Sequence, residues 1–234
     1  MGMIALGAVA TVLTVKRRDP PAVPLALGYF TLMEALQLAG YAVLDECGNP
    51  LNEVVTLLSF LHIAFQPFVL NAFAMELVPV ADKARAKPWV YGACALSTVV
   101  MLLQVYPFAW AGACLAGTTL CGPALCTVAG KWHIAWQVPF NGLLVPFEAL
   151  LGTWLGLPTY AAAFFLLPLA YGAWRFVVFH IVAGPILVSQ LTRDPNEMPA
   201  IWCFFSVGLM LMSLSPWLRA RVSLPGGWGR AATA

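Results

Sequence analysis

Charged residues are scarce in this chain of 234 residues: only 9% are Asp, Glu, Lys or Arg, while 61% are hydrophobic. A soluble domain carries about a quarter charged residues, so this composition excludes a water-soluble globule. The sequence has no long basic run and no nucleic-acid-binding module, and we expect no nucleic acid among its partners. The expected partner is the lipid bilayer, because apolar runs of roughly 20 residues recur along the chain.

These runs predict an all-α integral membrane protein. The seven predicted spans are approximately 2–15, 24–44, 53–76, 88–107, 123–147, 157–190 and 198–217. The first run is short for a bilayer, so six spans with an additional anchor is the alternative. Residues 1–218 are expected to form one transmembrane domain, followed by a disordered cytoplasmic tail over 219–234.

Lysine and arginine are unevenly distributed among the predicted loops. A seven-span arrangement places three groups on one side: Lys16, Arg17 and Arg18; Lys83, Arg85 and Lys87; and Arg219, Arg221 and Arg230. Arg193 is the only clear loop cation on the other side. Because cytoplasmic loops are enriched in Lys and Arg, the N-terminus is predicted outside and the C-terminus in the cytoplasm. The expected location is a bacterial inner (cytoplasmic) membrane, as a multi-pass protein.

Four of the six cysteines lie in or beside loops predicted to be outside: Cys47, Cys114, Cys121 and Cys126. If that side is oxidising, disulfides are allowed there, and we predict one or two among these four. The alternative places Cys121 and Cys126 as buried free thiols at the start of the fifth span. Cys94 and Cys203 are interpreted as small apolar packing residues, and the cysteine spacing matches no zinc module.

Histidine is rarer still, with three copies in the chain. Two occur in near copies of one phrase, "SFLHIAFQPF" at 59–68 and "KWHIAWQVPF" at 131–140, and the third occurs in "FHIVAGPIL" at 179–187. Counting along the predicted helices at 1.5 Å per residue places His62, His133, His180 and Glu34 in one layer, roughly 15 Å below the outer surface. Pro67, Pro139 and Pro185 would each free a carbonyl beside a histidine, so kinked helices around a cavity are expected.

Other polar residues lie within the predicted membrane spans, where burying a polar side chain costs free energy. Such residues often mark functional sites in membrane proteins. At 100° per residue, His133, Gln137, Asn141 and Glu148 share one face of the predicted fifth helix. Arg175 is expected to reach the cytoplasmic surface or to pair with Glu148. The residues predicted to position a substrate or to support metal ligands are Ser59, Gln37, Gln66, Gln137, Asn141, Glu148 and Arg175.

Imidazole is the commonest zinc ligand, and three histidines with one open position make a bound water nucleophilic near neutral pH. We therefore predict a zinc site formed by His62, His133 and His180, with Glu34 as general base or fourth ligand. The sequence has no HExxH pair, so the ligands would have to come from three different helices.

With seven helices and an outside N-terminus, the phrase "SFLHIAF" on an early helix is distantly similar to the CREST superfamily, which includes alkaline ceramidases and adiponectin-receptor-like proteins. That resemblance implies zinc bound through three histidines and hydrolysis of lipid amides or related bonds. The segment "RDPNEMPAIWCFFSVGL" also resembles a family of bacterial multi-helix membrane proteins to which we attach no activity.

The preferred hypothesis is a metal-dependent hydrolase of a lipid or amphiphile. The alternative is a transporter or sensor that binds a proton, an ion or a small solute in the same polar cavity. A further alternative is that two histidines bind haem, or that the histidines only cross-link helices through hydrogen bonds worth about 1 kcal/mol each.

Overall fold

A computed structural model of the chain describes residues 2–151, 157–204 and 206–228. Its helices are α1 (Gly2–Lys16), α2 (Ala22–Tyr41), α3 (Pro50–Ala74), α4 (Val80–Val105), α5 (Val145–Leu151), α6 (Pro158–Ala170), α7 (Trp174–Leu191), α8 (Met198–Phe204), α9 (Val207–Leu214) and α10 (Pro216–Val222). A short antiparallel hairpin joins β1 (Cys126–Ala129) to β2 (Ile134–Gln137), with Cys126 opposite Gln137. The predicted helical class is confirmed, with this hairpin as an addition.

Among the described residues, four helices are long and apolar enough to cross a membrane: α2, α3 together with its terminal turn Met75–Leu77, α4 and α7. The segment Met198–Leu214, followed by α10 across a bend of 100°, is a fifth candidate. Helices α1 and α6 are apolar but shorter. Length and composition therefore support four or five of the seven predicted spans.

The helices pack around a core of aromatic and aliphatic side chains. Phe60 and Phe73 of α3 are almost completely buried, as are Phe164 of α6 and Phe176 of α7. Helix α3 lies at the centre of this core and contacts both α2 and α4. The side chain of Asn49 accepts a hydrogen bond from the Leu51 N–H, and Pro50 occupies the first turn; both features favour a helix start at this point.

The predicted fifth span, 123–147, is wrong, because this segment contains the β1–β2 hairpin instead of a long helix. A disulfide joins Cys126 to Cys47, and the side chain of Asn52 bonds both the N–H and the carbonyl of Thr127. At the hairpin turn, a Cβ on Gly130 would lie 2.6 Å from the His133 carbonyl oxygen, so only glycine fits. These tethers hold the segment against the end of α3 in an extended conformation.

The predicted sixth span, 157–190, is also wrong, because it is a pair of helices, α6 and α7, joined by a turn at 171–173. Gly172 has a φ of +96°, which an L side chain rarely adopts, so the glycine permits the reversal. The buried hydroxyl of Tyr171 donates to the side-chain carbonyl of Asn71 on α3, which fixes the turn to the core.

The loops gather at two opposite ends of the helical bundle. We call one the cap end; it comprises 42–49, 106–144 and 192–197. Hydrogen bonds from Trp136 N–H to the Asn196 carbonyl and from the Asn196 side chain to the Cys121 carbonyl join its parts. Disulfides Cys47–Cys126 and Cys114–Cys121 reinforce it. All four predicted loop cysteines are therefore paired, and the free-thiol alternative for Cys121 and Cys126 is wrong.

The other end, which we call the tail end, comprises 17–21, 75–79, 171–173 and 215–228. The Leu224 N–H donates to the Leu77 carbonyl, and Arg175 donates to the Ser223 carbonyl. Part of the predicted disordered tail, 219–234, is therefore ordered. Helix α10 continues to Val222, and the chain packs on the bundle as far as Trp228. Residues 229–234, including Arg230, lie outside the described residues.

Candidate functional site

A cavity of about 560 Å³ lies in the cap half of the bundle, between α3, α6, α7 and α8. Its wall is mostly apolar and includes Ile63, Leu157, Phe165, Pro185 and Trp202. This volume and lining are typical of sites for small organic ligands.

Two helices that form the cavity are locally widened. Residues Ala162–Leu166 of α6 and Val182–Ile186 of α7 are π-helical, and Phe165, Pro185 and Ile186 from these segments line the cavity. The widening in α7 contains Pro185, which has no N–H to donate within the helix. Such π segments are uncommon and occur frequently at functional sites. Their presence on both sides of one cavity favours a binding role for it.

Part of the cavity boundary lies at the surface of the bundle. Ile181 is 36% exposed and Ile186 is 50% exposed, and both also line the cavity. The α7 side of the cavity is therefore bounded by residues of an apolar surface.

The polar groups of the cavity fall into two sets. One set lies on the inner wall, where the Tyr160 hydroxyl donates to the Gln66 side-chain oxygen at 2.6 Å, and Gln66 also interacts with the Cys203 thiol. The other lies toward the cap end and comprises Thr119, Ser189 and Arg193. Arg193 is exposed, and no carboxylate in the described part of the chain lies within ion-pair distance of it.

The three histidines lie in three different environments. His62 on α3 stacks on the Tyr29 ring with centroids 3.7 Å apart, while His180 on α7 is packed among Phe164, Phe176 and Trp202. His133 lies at the turn of the hairpin, with its ring 5.5 Å from that of Tyr41. The predicted histidine layer required a helix at 123–147, and the structure has none there.

Residues 2–151, 157–204 and 206–228 contain no group of three or more His, Cys, Asp and Glu side chains that could hold a metal ion. The donor set that the zinc hypothesis requires is thus not assembled, and we derive no step through a metal. The ligand roles of the histidines, the role of Glu34 as a base and the haem alternative stay predictions.

The remaining predicted site residues are dispersed. Gln66 lines the cavity. Gln37 donates to the Ala200 carbonyl, and the Ser59 hydroxyl donates to the Val55 carbonyl of its own helix. At the cap end, Gln137 lies in β2, Asn141 donates to the carbonyls of Leu103 and Tyr106, and Glu148 is buried on α5. Arg175 bonds Ser223 at the tail end, so the alternative pairing with Glu148 does not form.

Glu197 is fully buried at the cap end, and sequence reasoning assigned it no role. Its carboxylate accepts hydrogen bonds from the backbone N–H groups of Trp132 and His133 and from the Thr192 hydroxyl. Burial alone would raise the pKa of this carboxyl, but these donors and the Lys131 N–H outweigh burial and hold the pKa below its ordinary value. Burial lowers the pKa of the adjacent His133, against the opposing charge of Glu197.

Sequence reasoning also missed most of the cavity. Cys203 was interpreted as a packing residue, and Tyr160 and Trp202 were assigned no role, since aromatic and small side chains are common in any apolar helix. Arg193 could have been identified from the sequence, because it is the clear loop cation on the side predicted to be outside, where Lys and Arg are few.

Comparison with known proteins gives one match. A family model described as "Family of unknown function (DUF5765)" matches residues 1–223. No curated protein and no solved structure matches the chain.

Proposed function

The chain belongs to the DUF5765 family, and from its own geometry we propose that it is a multi-pass membrane protein that binds a single-chain amphiphile with an anionic headgroup. The cavity between α6, α7 and α8 receives the apolar chain, and Arg193 receives the headgroup. The observation that carries this proposal is an apolar cavity bounded by exposed isoleucines of α7, with Arg193, a cation that has no ion-pair partner among the described residues, at its cap end.

The orientation in the membrane follows from the two ends of the bundle. Tail-end cations include Arg17, Lys83, Arg175 and Arg219, whereas Lys131 and Arg193 lie at the cap end. The positive-inside rule places the tail end in the cytoplasm. The two disulfides at the cap end support the same orientation, because disulfides persist in oxidising compartments.

Seven crossings are consistent with this orientation. The apolar segments α1, α2, α3, α4, α6, α7 and α8–α9 run alternately between the two ends. The two errors of the sequence prediction leave the number of crossings unchanged. One predicted span is a hairpin at the cap end, which removes a crossing, and another is two helices, which adds one. The N-terminus is therefore outside and the C-terminus inside, as the sequence predicted, in the inner membrane of a bacterial cell.

Because the cavity lies in the cap half and is bounded by exposed apolar residues of α7, the proposed entrance lies in the outer leaflet. A chain that leaves that leaflet enters an apolar site and loses no hydrophobic stabilisation. A guanidinium suits carboxylate or phosphate oxygens because its donors form a planar fork. The ligand class is thus an acyl-type chain with a carboxylate or phosphate headgroup.

Binding of a fluorescent fatty acid to the purified protein in lipid nanodiscs tests this proposal. Arg193→Gln removes a charge-assisted contact, so affinity should fall about tenfold, which corresponds to about 1.4 kcal/mol. Lys131→Gln is the matched control, because Lys131 is an exposed cation at the same end outside the cavity, and its affinity should change less than about twofold. Equal effects of the two changes would contradict the headgroup assignment.

A second pair of variants tests the cavity itself. Ala161 lines the cavity, and Ala162, the next residue of α6, does not. Ala161→Trp should abolish binding of the fatty acid by filling the cavity, whereas Ala162→Trp should leave it. Lysophosphatidic acid should compete with the fatty acid, and a fatty alcohol should bind without dependence on Arg193.

A further inference from the structure

Two buried oxygen atoms on α2 have no hydrogen-bond partner among the described residues. They are Oε1 of Glu34, a residue 6% exposed, and Oε1 of Gln37, a residue 2% exposed. An unpaired buried carboxylate oxygen is costly, and an ionised carboxylate within a membrane-crossing helix is more costly still. The pair therefore requires a physical explanation.

Glu34 and Gln37 lie on one face of α2, because residues three apart are neighbours on a helix. That face packs against α8. The Gln37 amide N–H donates to the Ala200 carbonyl at 3.0 Å, and Glu34 interacts electrostatically with Cys203, one turn further along α8. Both unpaired oxygens thus belong to side chains that face the same helix.

No cation neutralises Glu34 in the described part of the chain, where the ion pair present is Lys83–Glu76. The ionisable groups nearby are the Cys203 thiol on α8, Tyr29 on α2 itself, and His62 on α3, which stacks on Tyr29. The positive charge of the N-terminal amine also acts on Glu34 and opposes the effect of burial. Helix α9 and strand β2 also pack on α2 and carry no ionisable residue, and in α1 the basic residue is Lys16 at the tail end.

We propose that Glu34 is a proton-binding site: its carboxyl takes one proton from water and donates it to Oε1 of Gln37. A protonated carboxyl has one O–H donor, and an amide oxygen is an acceptor. One proton thus removes the charge of Glu34 and gives the Gln37 oxygen a donor. Two unpaired acceptors become one hydrogen bond.

Glu197 supplies the contrast within the same molecule. Both carboxyls are buried, but Glu197 is surrounded by N–H and O–H donors, which stabilise an anion, and the described residues supply no donor to Glu34. We therefore expect Glu34 to hold a proton under conditions in which Glu197 is ionised.

The proton site lies next to the wall of the cavity. Cys203 interacts with Glu34 and also with Gln66, and both Cys203 and Gln66 line the cavity. Release of the proton would place an unpaired anion directly behind this wall. The proton site stands on its own contacts and does not depend on the lipid-binding proposal.

Infrared spectroscopy of the protein in bilayers at neutral pH tests the site directly. A protonated carboxyl gives a carbonyl stretching band that is distinct from the carboxylate bands. We expect this band in the wild type and its retention in Glu197→Gln. Glu148 is also a buried carboxyl, so the loss of the band in Glu34→Gln is measured on a Glu148→Gln background. Absence of the band in the folded wild type, or its persistence in Glu34→Gln on that background, would overturn the proposal.

A second variant tests the hydrogen bond and does not alter the acid. Gln37→Leu removes the acceptor and keeps Glu34, so the band should remain and shift to the higher frequency of a carboxyl without a hydrogen bond. An unshifted band would show that Gln37 is not the partner. Because the wild-type band is measured without any substitution, the proposal stays falsifiable even if a variant fails to fold.

Discussion

The segments 59–68 and 131–140 share the phrase His-Ile-Ala-aromatic-Gln, yet they adopt different structures. The first lies inside α3, near the centre of the bundle, and the second contains the hairpin turn and strand β2 at the cap end. Their histidines differ accordingly: His62 stacks on Tyr29 within the bundle, and His133 lies at the turn.

The difference comes from what surrounds each phrase. The first sits within a helix of 25 residues that begins at a capped Asn49–Pro50 start. The second follows a cysteine that is disulfide-bonded to the loop between α2 and α3 and a glycine at a turn, and its backbone N–H groups donate to Glu197. A five-residue phrase has weak intrinsic preference, so its tethers determine its structure.

The largest expected effect comes from the tether between Cys126 and Cys47. Replacing both by Ser removes a crosslink across 79 residues and should lower the free energy of unfolding by about 4 kcal/mol. Replacing Cys114 and Cys121, seven apart, should cost about 2 kcal/mol. Denaturant unfolding in detergent compares the two double variants. In the variant without the Cys47–Cys126 bond, hydrogen exchange should show that amide protection is lost at 134–137 and retained at 59–66. Equal loss in both segments would contradict the comparison.

Glu197 gives the next largest effect. Glu197→Gln removes the anion to which the N–H groups of the hairpin turn donate. It should lower the free energy of unfolding by about 3 kcal/mol. Glu53→Gln is the control, since Glu53 is exposed on the first turn of α3 and should change stability by less than about 0.5 kcal/mol. Thermal melts of both variants give the comparison.

The same carboxylate makes stability depend on pH. Its pKa in the folded protein is lowered, so its contribution is complete above the ordinary glutamate value of about 4.3 and is lost as pH falls toward the folded pKa. The melting temperature of the wild type should therefore fall below about pH 4 more steeply than that of Glu197→Gln. Parallel pH profiles would show that Glu197 is not the anion that holds the turn.

Asn52 links the two regions and gives a smaller effect. Its side-chain amide donates to the carbonyls of Val43 and Thr127 and accepts from the Thr127 N–H. Asn52→Ala should therefore lower the free energy of unfolding by about 2 kcal/mol. Asn49→Ala, at the exposed cap of the same helix, should cost about 1 kcal/mol. If both cost the same, the contact between α3 and the hairpin contributes no more than a helix cap.

The smallest effect concerns the shared proline. Pro67 lies within α3, so Pro67→Ala restores a backbone donor to the Ile63 carbonyl and should leave stability equal or higher. Pro139 is exposed after β2, outside any helix, and Pro139→Ala should change stability by less than about 0.5 kcal/mol. A large loss in Pro139→Ala would indicate that proline sets the direction of the chain after the hairpin.

The sequence predicted those parts of the fold that follow from the distribution of apolar residues and cysteines. Helices α2, α3 and α4 overlap the predicted apolar runs but begin earlier, α4 by eight residues, and the four cysteines predicted to be outside are those that form disulfides. An apolar run indicates burial, but it does not distinguish one long helix from a hairpin or from two helices with a turn at Gly172. That distinction depends on contacts with distant residues such as Asn52 and Glu197.

The candidate site was harder to predict, for a related reason. Gln66 stood out as a polar residue in an apolar helix, and it does line the cavity. The depth argument for the histidines failed at His133 because it assumed a helix through 123–147. The cavity itself arises where α6, α7 and α8 meet and from the π segments of α6 and α7, and none of these features has a signal at fixed spacing in the sequence.

Photoaffinity labelling tests the central claim, that the cavity binds an anionic single-chain amphiphile, most directly. A fatty acid with a photoreactive group along its chain would be crosslinked to the protein in nanodiscs, and the labelled residues would be identified by mass spectrometry. We expect labels concentrated at 160–165, 181–189 and 198–203, reduced by excess unlabelled fatty acid. Labels spread evenly over the exposed faces of α1 to α4, and unaffected by competitor, would contradict the claim.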